Sequence, residues 1–117
     1  MGKRRKTKNR IPEEIKEVIR ERSDHACEAM IPEAGCEWKA TDMHHRQMRS
    51  QGGQHEVVNL VHICRACHRY SHLHPAISYT NGFLVKSTGD PAATPVKRRG
   101  GLILLTEEGG FNDPESG

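Results

Sequence analysis

Four cysteines in two widely spaced pairs constrain the fold of this chain more than any other feature. Cys27 and Cys36 have eight residues between them, whereas Cys64 and Cys67 form a C-x-x-C motif. The chain has 117 residues, and only 34% of them are hydrophobic. Small domains of this kind bury a modest fraction of their surface and often need a disulfide or a metal to hold them together. The cysteines therefore indicate either two disulfides or one metal site.

A metal site is the better interpretation of these cysteines. No apolar signal segment follows the start Met-Gly-Lys-Arg-Arg, so we expect a cytoplasmic protein, whose thiols remain reduced. Zinc takes four thiolates tetrahedrally, and two ligand pairs can clamp two segments together. We predict a structural zinc site made by Cys27, Cys36, Cys64 and Cys67. The alternatives are four free thiols or a redox pair, although no βαβ pattern accompanies the C-x-x-C motif.

Positive charge is concentrated at the start of the chain, although the net charge is only +3. Six cations lie within the first ten residues, with no acid among them: Lys3, Arg4, Arg5, Lys6, Lys8 and Arg10. Such a block is typical of a solvated tail that contacts nucleic acid in a salt-dependent manner. We predict that residues 1–10 form a disordered basic arm. Charge alone leaves a DNA contact and a tail that only aids solubility equally open, and a nuclease motif elsewhere in the chain would favour the DNA contact. No stretch approaches the length of a membrane span, so no membrane partner is expected.

The pattern of apolar residues predicts a small α+β domain over residues 11–108. We expect one helix over residues 11–22 and a second from residue 65 to just before Pro75. Strand-like segments rich in β-branched or other apolar residues cover, in chain order, 41–46, 57–63, 82–87 and 102–106. For residues 109–117 we predict a flexible tail.

Seven of the eight histidines lie between residues 44 and 74. On the helix predicted after the C-x-x-C motif, His68 and His72 are four residues apart and share one face, a spacing by which two histidines bind one metal ion. His44 and His45 are adjacent on a predicted strand, so their side chains point in opposite directions. One can then reach a metal and the other a water molecule. The remaining histidines are interpreted as surface or packed imidazoles without an assigned role: His25, His55, His62 and His74.

The His44–His45 pair, Asn59 and the C-x-x-C-H motif that ends at His68 resemble the HNH nuclease family. The resemblance implies a ββα-metal core, in which a two-stranded hairpin and the following helix hold one divalent ion. On this resemblance His45 would be the general base, and Asn59 would orient the base or support the metal. His44 and His68 would be metal ligands, with His72 as a candidate further ligand.

A longer part of the chain, roughly residues 20–110, is similar to the small HNH proteins of tailed bacteriophages. The segments that carry this similarity include C-E-A-M-I-P-E-A-G-C, H-H-R-Q-M-R-S-Q-G-G and C-R-A-C-H-R. The similarity implies a role in phage DNA processing or packaging within the cytoplasm of a bacterial host. It also implies a partner, the terminase large subunit.

The catalytic ion and the phosphate contacts are less constrained by the sequence. The resemblance suggests Mg²⁺ or Mn²⁺ beside the structural Zn²⁺, while a site rich in imidazole also suits Ni²⁺, Co²⁺ or Zn²⁺. Four arginines flank the candidate ligands and can hold DNA phosphates: Arg46, Arg49, Arg65 and Arg69. The alternative for each arginine is a solvated basic face.

These features predict a metal-dependent endonuclease that cleaves DNA phosphodiester bonds with His45 as general base. One alternative is a non-catalytic zinc-ribbon protein with a DNA-binding or regulatory role. In such a protein the histidines would be incidental. That alternative leaves the His-His, Asn and H-x-x-x-H pattern unexplained. Another alternative is an assembly factor whose nuclease site is active only within a terminase complex.

Overall fold

A computed structural model describes residues 10–114, so nearly all of the predicted basic arm lies outside the described residues. Within residues 10–114 the chain forms three α-helices and five strands. In chain order these are α1 (Glu13–Ser23), β1 (Asp42–His45), β2 (Leu60–Ile63), α2 (Arg65–Leu73), α3 (Pro75–Asn81), β3 (Val96–Arg98), β4 (Gly101–Leu105) and β5 (Phe111–Asn112). The predicted α+β class is confirmed. Among the described helices, none combines the length and the apolar character needed to span a bilayer.

Helix α1 packs against the β1–β2 hairpin through a single apolar face. Ile19 is fully buried and lies in a cluster with Val57 and Leu60. The helix ends where Asp24 takes a left-handed conformation at φ 55°. Acidic residues occupy its first turn and basic residues its last, an arrangement that complements the helix dipole. The helix predicted over residues 11–22 is therefore confirmed, with its ends shifted by one or two residues.

Strands β1 and β2 pair in antiparallel fashion and carry the paired histidines. Asp42 lies opposite Ile63, and His45 lies opposite Leu60. All four residues of β2 are buried, as expected for a β-branched run in a core. The strand predicted over residues 57–63 begins later than expected, because Val57–Asn59 forms a 3₁₀ turn.

Helix α2 completes the ββα unit that the resemblance implied. The Cys64 sulfur accepts the N–H of Cys67 at 3.3 Å and so caps the start of the helix. The helix ends at Leu73 because Pro75 disfavours a helical conformation in the residue before it, and His74 has φ −128° and ψ 69°. Pro75 then begins α3, a helix that the sequence pattern did not predict.

The segment over residues 82–87, predicted as a strand, is irregular. The side chains of Phe83, Leu84 and Val85 are all buried. Their backbone groups find partners outside a sheet. The N–H groups of Phe83 and Leu84 both donate to Ser78 O in helix α3, and Phe83 O bonds to the His44 side chain. An apolar run therefore indicated burial correctly but indicated the wrong backbone conformation.

A second sheet has the strand order β3-β4-β5. Strand β4 confirms the prediction over residues 102–106, and its Leu105 joins Phe83 and Val61 in the main core. Strand β5 pairs Phe111 with Leu105. The ordered sheet thus extends into the segment for which the sequence predicted a flexible tail, because these residues find hydrogen-bond partners along β4.

A buried ionic network joins α1, the loop that carries Cys27 and Glu28, and strand β3. Both oxygens of Glu28 accept hydrogen bonds from Arg22, each at 2.7 Å, and Arg98 donates to the same carboxylate at 2.9 Å. The N–H of His62 on β2 also donates to Glu28 at 2.9 Å. Burial raises the pKa of Glu28, but the Arg22 guanidinium outweighs it and holds that pKa below its ordinary value. The carboxylate is therefore charged, and it compensates the positive charges of Arg22 and Arg98.

We expect Glu28→Gln to lower the free energy of unfolding by about 3–5 kcal/mol, because removing one partner leaves the buried Arg22 charge uncompensated. Urea denaturation of the zinc-loaded proteins would measure this loss. Glu21→Gln, at an exposed position of α1, is the matched control and should change stability by less than about 0.5 kcal/mol. Equal midpoints for the two variants would contradict a stabilising role for the network.

Candidate active site

Three histidines from two elements converge beside the hairpin. Strand β1 supplies His44, and α2 supplies His68 and His72 from successive turns. One ligand nitrogen of each ring lies within 4.8 Å of the others. The ring centroid of His44 is 5.0 Å from that of His68 and 5.3 Å from that of His72. The structure therefore brings together all three histidines that the sequence selected as ligands, close enough for one ion to contact them.

A backbone carbonyl fixes which nitrogen of His44 can bind a metal. His44 is 1% exposed, and its Nε2 lies 2.6 Å from Phe83 O. A carbonyl only accepts, so Nε2 must carry the proton and Nδ1 is left with a free lone pair. Burial lowers the pKa of His44 to about 3, so the ring is neutral at physiological pH. A neutral, oriented imidazole is the form that ligates a metal ion.

Asp42 plays the same part for His68. The Asp42 carboxylate lies 2.8 Å from His68 Nδ1, which leaves Nε2 as the available nitrogen. Carboxylates commonly orient metal-binding histidines in this way and increase their basicity. The sequence interpretation gave Asp42 no role. A usable signal was present, because residues two apart on a strand share one face, and Asp42 precedes His44 by two.

An open cleft of about 350 Å³ lies beside the histidine cluster. Its walls are Asp42, Arg65, His68, Arg69 and His72. Arg65 and Arg69 are both exposed on α2. The cleft therefore presents positive charge directly next to the candidate metal ligands. Arg49 is also exposed, and it donates to Gly53 O at 2.8 Å.

Arg46 cannot contact DNA in this structure, which corrects the sequence interpretation. The residue is 0% exposed. Its guanidinium donates to four backbone carbonyls, those of Val58, Gly82, Pro91 and Thr94. Burial lowers the pKa of Arg46 to about 10, so it remains charged and bonded inside the domain. The residue holds the irregular segment after α3 against the hairpin.

His45 is not one of the three clustered histidines and contacts the connection between the strands. It is partly buried, and its Nε2 lies 3.0 Å from Nδ1 of His55. Burial lowers the pKa of His45 to about 4, and the nearby His55 and Arg49 contribute to this shift. A general base must be neutral to accept a proton. His45 meets that requirement at physiological pH.

Asn59 holds the connection that follows His45. Its Oδ1 accepts the N–H of Gln47 at 2.7 Å, and its Nδ2 donates to the carbonyls of Gln47 and Gln54, each at 3.0 Å. Gly53 is required in this connection, because a Cβ there would lie 1.6 Å from Gln47 O. Asn59 thus orients the backbone around the site, and its influence on His45 passes through the connection over residues 46–59.

The four cysteines form a second cluster at the start of helix α2. One sulfur of each lies within 4.8 Å of the others, and Cys36 Sγ is 3.9 Å from Cys64 Sγ. Tetrahedral zinc with bonds of about 2.3 Å places its sulfurs roughly 3.8 Å apart. Backbone N–H groups donate to every one of these sulfurs, at 3.3–3.4 Å. The cluster can hold a zinc ion, and none of the four cysteines is in a disulfide.

The electrostatics of the cysteines also favour a cation. The hydrogen bond with Cys67 is the main cause that lowers the pKa of Cys27 to about 5. Burial raises the pKa of Cys36 to about 11, and the neighbouring Cys27 raises that of Cys67. Four thiolates therefore cannot coexist at this spacing without a positive charge between them. A zinc ion would supply that charge and stabilise all four in the ionised form.

The two clusters share one helix. Cys67 and His68 are adjacent in α2, and Cys64 caps the same helix. A zinc ion bound by the cysteines would therefore hold α2 in place, and with it His68 and His72. The fold and the two clusters define a small α+β domain in which helix α2 of a ββα unit contributes residues to both a histidine cluster and a cysteine cluster.

Residues 30–73 match the family model described as HNH endonuclease. Over this segment the match confirms the resemblance to HNH nucleases that was noted from the sequence. The matched segment contains β1, β2 and α2 in full, together with the histidine cluster and three of the four cysteines. No curated protein and no solved structure matches the chain.

Proposed function

We propose that the protein is a metal-dependent endonuclease that hydrolyses DNA phosphodiester bonds. The observation that carries this proposal is the convergence of His44, His68 and His72 beside a basic cleft, within an HNH domain. Hydrogen bonds from Phe83 O and Asp42 leave a free nitrogen on two of the three rings.

The residues divide the reaction between them. His45 accepts the proton of the attacking water, because its ring is neutral and lies outside the ligand cluster. Arg65 and Arg69 hold phosphates of the bound strand at the cleft. A divalent ion held by the three histidines would neutralise the charge that develops on the phosphate and on the departing oxygen. Cleavage then leaves a 5′-phosphate and a 3′-hydroxyl.

The donor set bears on the choice of catalytic ion. Oxygen ligands suit Mg²⁺ and Mn²⁺, whereas imidazole suits later transition metals such as Co²⁺, Ni²⁺ and Zn²⁺. The cluster consists of three imidazoles. The Asp42 carboxylate is hydrogen-bonded to His68 and is not itself in the cluster. We therefore propose Ni²⁺ or Co²⁺ ahead of Mg²⁺ or Mn²⁺ at this site, with Zn²⁺ in the cysteine cluster.

A plasmid-nicking assay tests the proposed activity. The purified protein should convert supercoiled DNA to nicked or linear forms with Ni²⁺ or Co²⁺, stop when EDTA is added, and resume when metal is restored. Activity with Ni²⁺ or Co²⁺ should exceed activity with Mg²⁺ or Mn²⁺. DNA binding without cleavage in every metal, both with and without the terminase large subunit, would contradict the proposal and favour the non-catalytic zinc-ribbon alternative.

The biological setting is proposed from the sequence similarity to small phage HNH proteins. We place the enzyme in phage DNA processing or packaging in the cytoplasm of a bacterial host, with the terminase large subunit as partner. The nicking assay can be repeated with the terminase subunit added. Cleavage that appears only with that subunit would identify an assembly-dependent nuclease. No change in rate, together with no co-purification, would argue against the partnership.

A further inference from the structure

His55 contacts the candidate general base directly, although the sequence pattern assigned it no role. Its Nδ1 lies 3.0 Å from Nε2 of His45, and the two ring centroids are 5.1 Å apart. His55 belongs to the connection between β1 and β2 and is not one of the three clustered histidines. It is therefore placed to act on the base and not on the metal.

The chemistry of the two rings restricts how this contact can operate. A neutral imidazole has one N–H donor and one acceptor nitrogen, so one ring must donate to the other. If His55 Nδ1 donates, His45 Nε2 is occupied as an acceptor and the His45 proton sits on Nδ1, which leaves no nitrogen for water. If His45 Nε2 donates to His55 Nδ1, the Nδ1 lone pair of His45 is free. Only the second arrangement lets His45 act as a base.

We infer that His55 is a positioning residue for the general base. It accepts the Nε2–H of His45, selects the tautomer with a free Nδ1, and stabilises the imidazolium that forms when Nδ1 takes the proton of water. The proton of His55 resides on its own Nε2. This inference rests on the proposed nuclease function.

The backbone around His55 is held by several bonds that explain how the contact is maintained. Asn59 Nδ2 donates to Gln54 O at 3.0 Å, which fixes the peptide that immediately precedes His55. Arg49 donates to Gly53 O at 2.8 Å in the same connection. A series of hydrogen bonds therefore leads from Asn59, through the Gln54 carbonyl and His55, to His45. The orienting role that the family resemblance implied for Asn59 is carried to the base through His55.

The expected effect follows from the strength of one hydrogen bond to a developing cation. His55→Ala should lower kcat about 10- to 100-fold, while KM for DNA changes less than about threefold. His55→Asn is the conservative variant, because its Oδ1 occupies about the position of Nδ1 and also accepts a hydrogen bond. We expect it to recover most of the lost kcat. His74→Ala, at an exposed position outside both clusters, is the control and should retain wild-type kcat.

A double substitution separates an action through His45 from a general structural effect. In the His45→Ala background, His55→Ala should cause no further loss of residual activity, since its target is already absent. Zinc content and circular dichroism of each variant check that the domain remains folded. An additional loss in the double variant, equal to that in the single one, would overturn the inference.

A spectroscopic measurement keeps this inference distinct from the nuclease proposal. Long-range ¹H–¹⁵N correlation spectra report which ring nitrogen carries the proton. We expect the Nε2–H tautomer at His45 in the wild type and a mixture of tautomers in His55→Ala. An Nδ1–H tautomer at His45 would overturn the inference even if the protein cleaves DNA. An inactive protein with the expected tautomer would overturn the nuclease proposal, and with it the catalytic part of this inference.

Discussion

Replacing Cys64 with serine should abolish tight zinc binding and unfold the domain. Cys64 supplies one of the four clustered sulfurs and also caps helix α2, so its loss affects both the proposed zinc site and the helix that carries His68. Structural zinc sites contribute apparent binding free energies of about 10–16 kcal/mol. A domain of this size is stable by only about 5–15 kcal/mol in total. The loss is therefore large enough to remove the folded state.

Elemental analysis and circular dichroism of dialysed protein would test this prediction. The wild type should retain one zinc per chain, whereas Cys64→Ser should retain less and lose its helical signal. His68→Ala is the matched control, because it removes a ligand from the other cluster and should leave the zinc content unchanged. Soluble, folded wild-type protein without zinc would show that the cysteines are free thiols.

Replacing His45 with alanine should reduce metal-dependent nicking about 10²- to 10⁴-fold, the usual contribution of a general base. DNA affinity and zinc content should remain near wild type, since the His45 side chain belongs to neither cluster. His68→Ala should fail in a different way. With one ligand removed, any residual activity should require a higher concentration of the activating metal.

Titrations of the activating metal would separate these two kinds of failure. His45→Ala should lower the maximal rate without moving the metal midpoint, and His68→Ala should move the midpoint. Comparable cleavage by separately purified His45→Ala and wild-type proteins would refute the proposed role of His45. The His68→Ala preparation, assayed at a metal concentration well below its shifted midpoint, serves as the control for contaminating nucleases.

The regular parts of the site were accessible from sequence because they depend on local periodicity. His68 and His72 share a helical face at a spacing of four residues, and the structure places them together as that spacing predicted. The C-x-x-C motif at the start of α2 has the same local character. The distant Cys36 was harder to assign, and only the closed fold brings its sulfur within 3.9 Å of Cys64.

Arg46 shows where local reasoning fails. Its neighbours in sequence are histidines and polar residues, which made a DNA contact a reasonable expectation. The carbonyls that enclose it come from segments 12 to 48 residues away in the chain. No short pattern encodes such distant partners. The apolar run over residues 82–87 failed for the same reason, because its backbone partners were supplied by α3 and by the side chains of Arg46 and His44.

The sequence by itself determined the α+β class, the ββα order of elements, the two sets of candidate ligands and the HNH relationship. The class and the order of elements follow from residue type and short-range spacing, which act before the chain folds. The choice of His44 as a ligand and the HNH relationship rest on the resemblance to that family. Tertiary structure alone decided that Asp42 orients His68, that Arg46 is interior and that His55 meets His45. These contacts depend on hydrogen-bond distances between groups well separated in the chain, and closure of the core around β2 sets those distances.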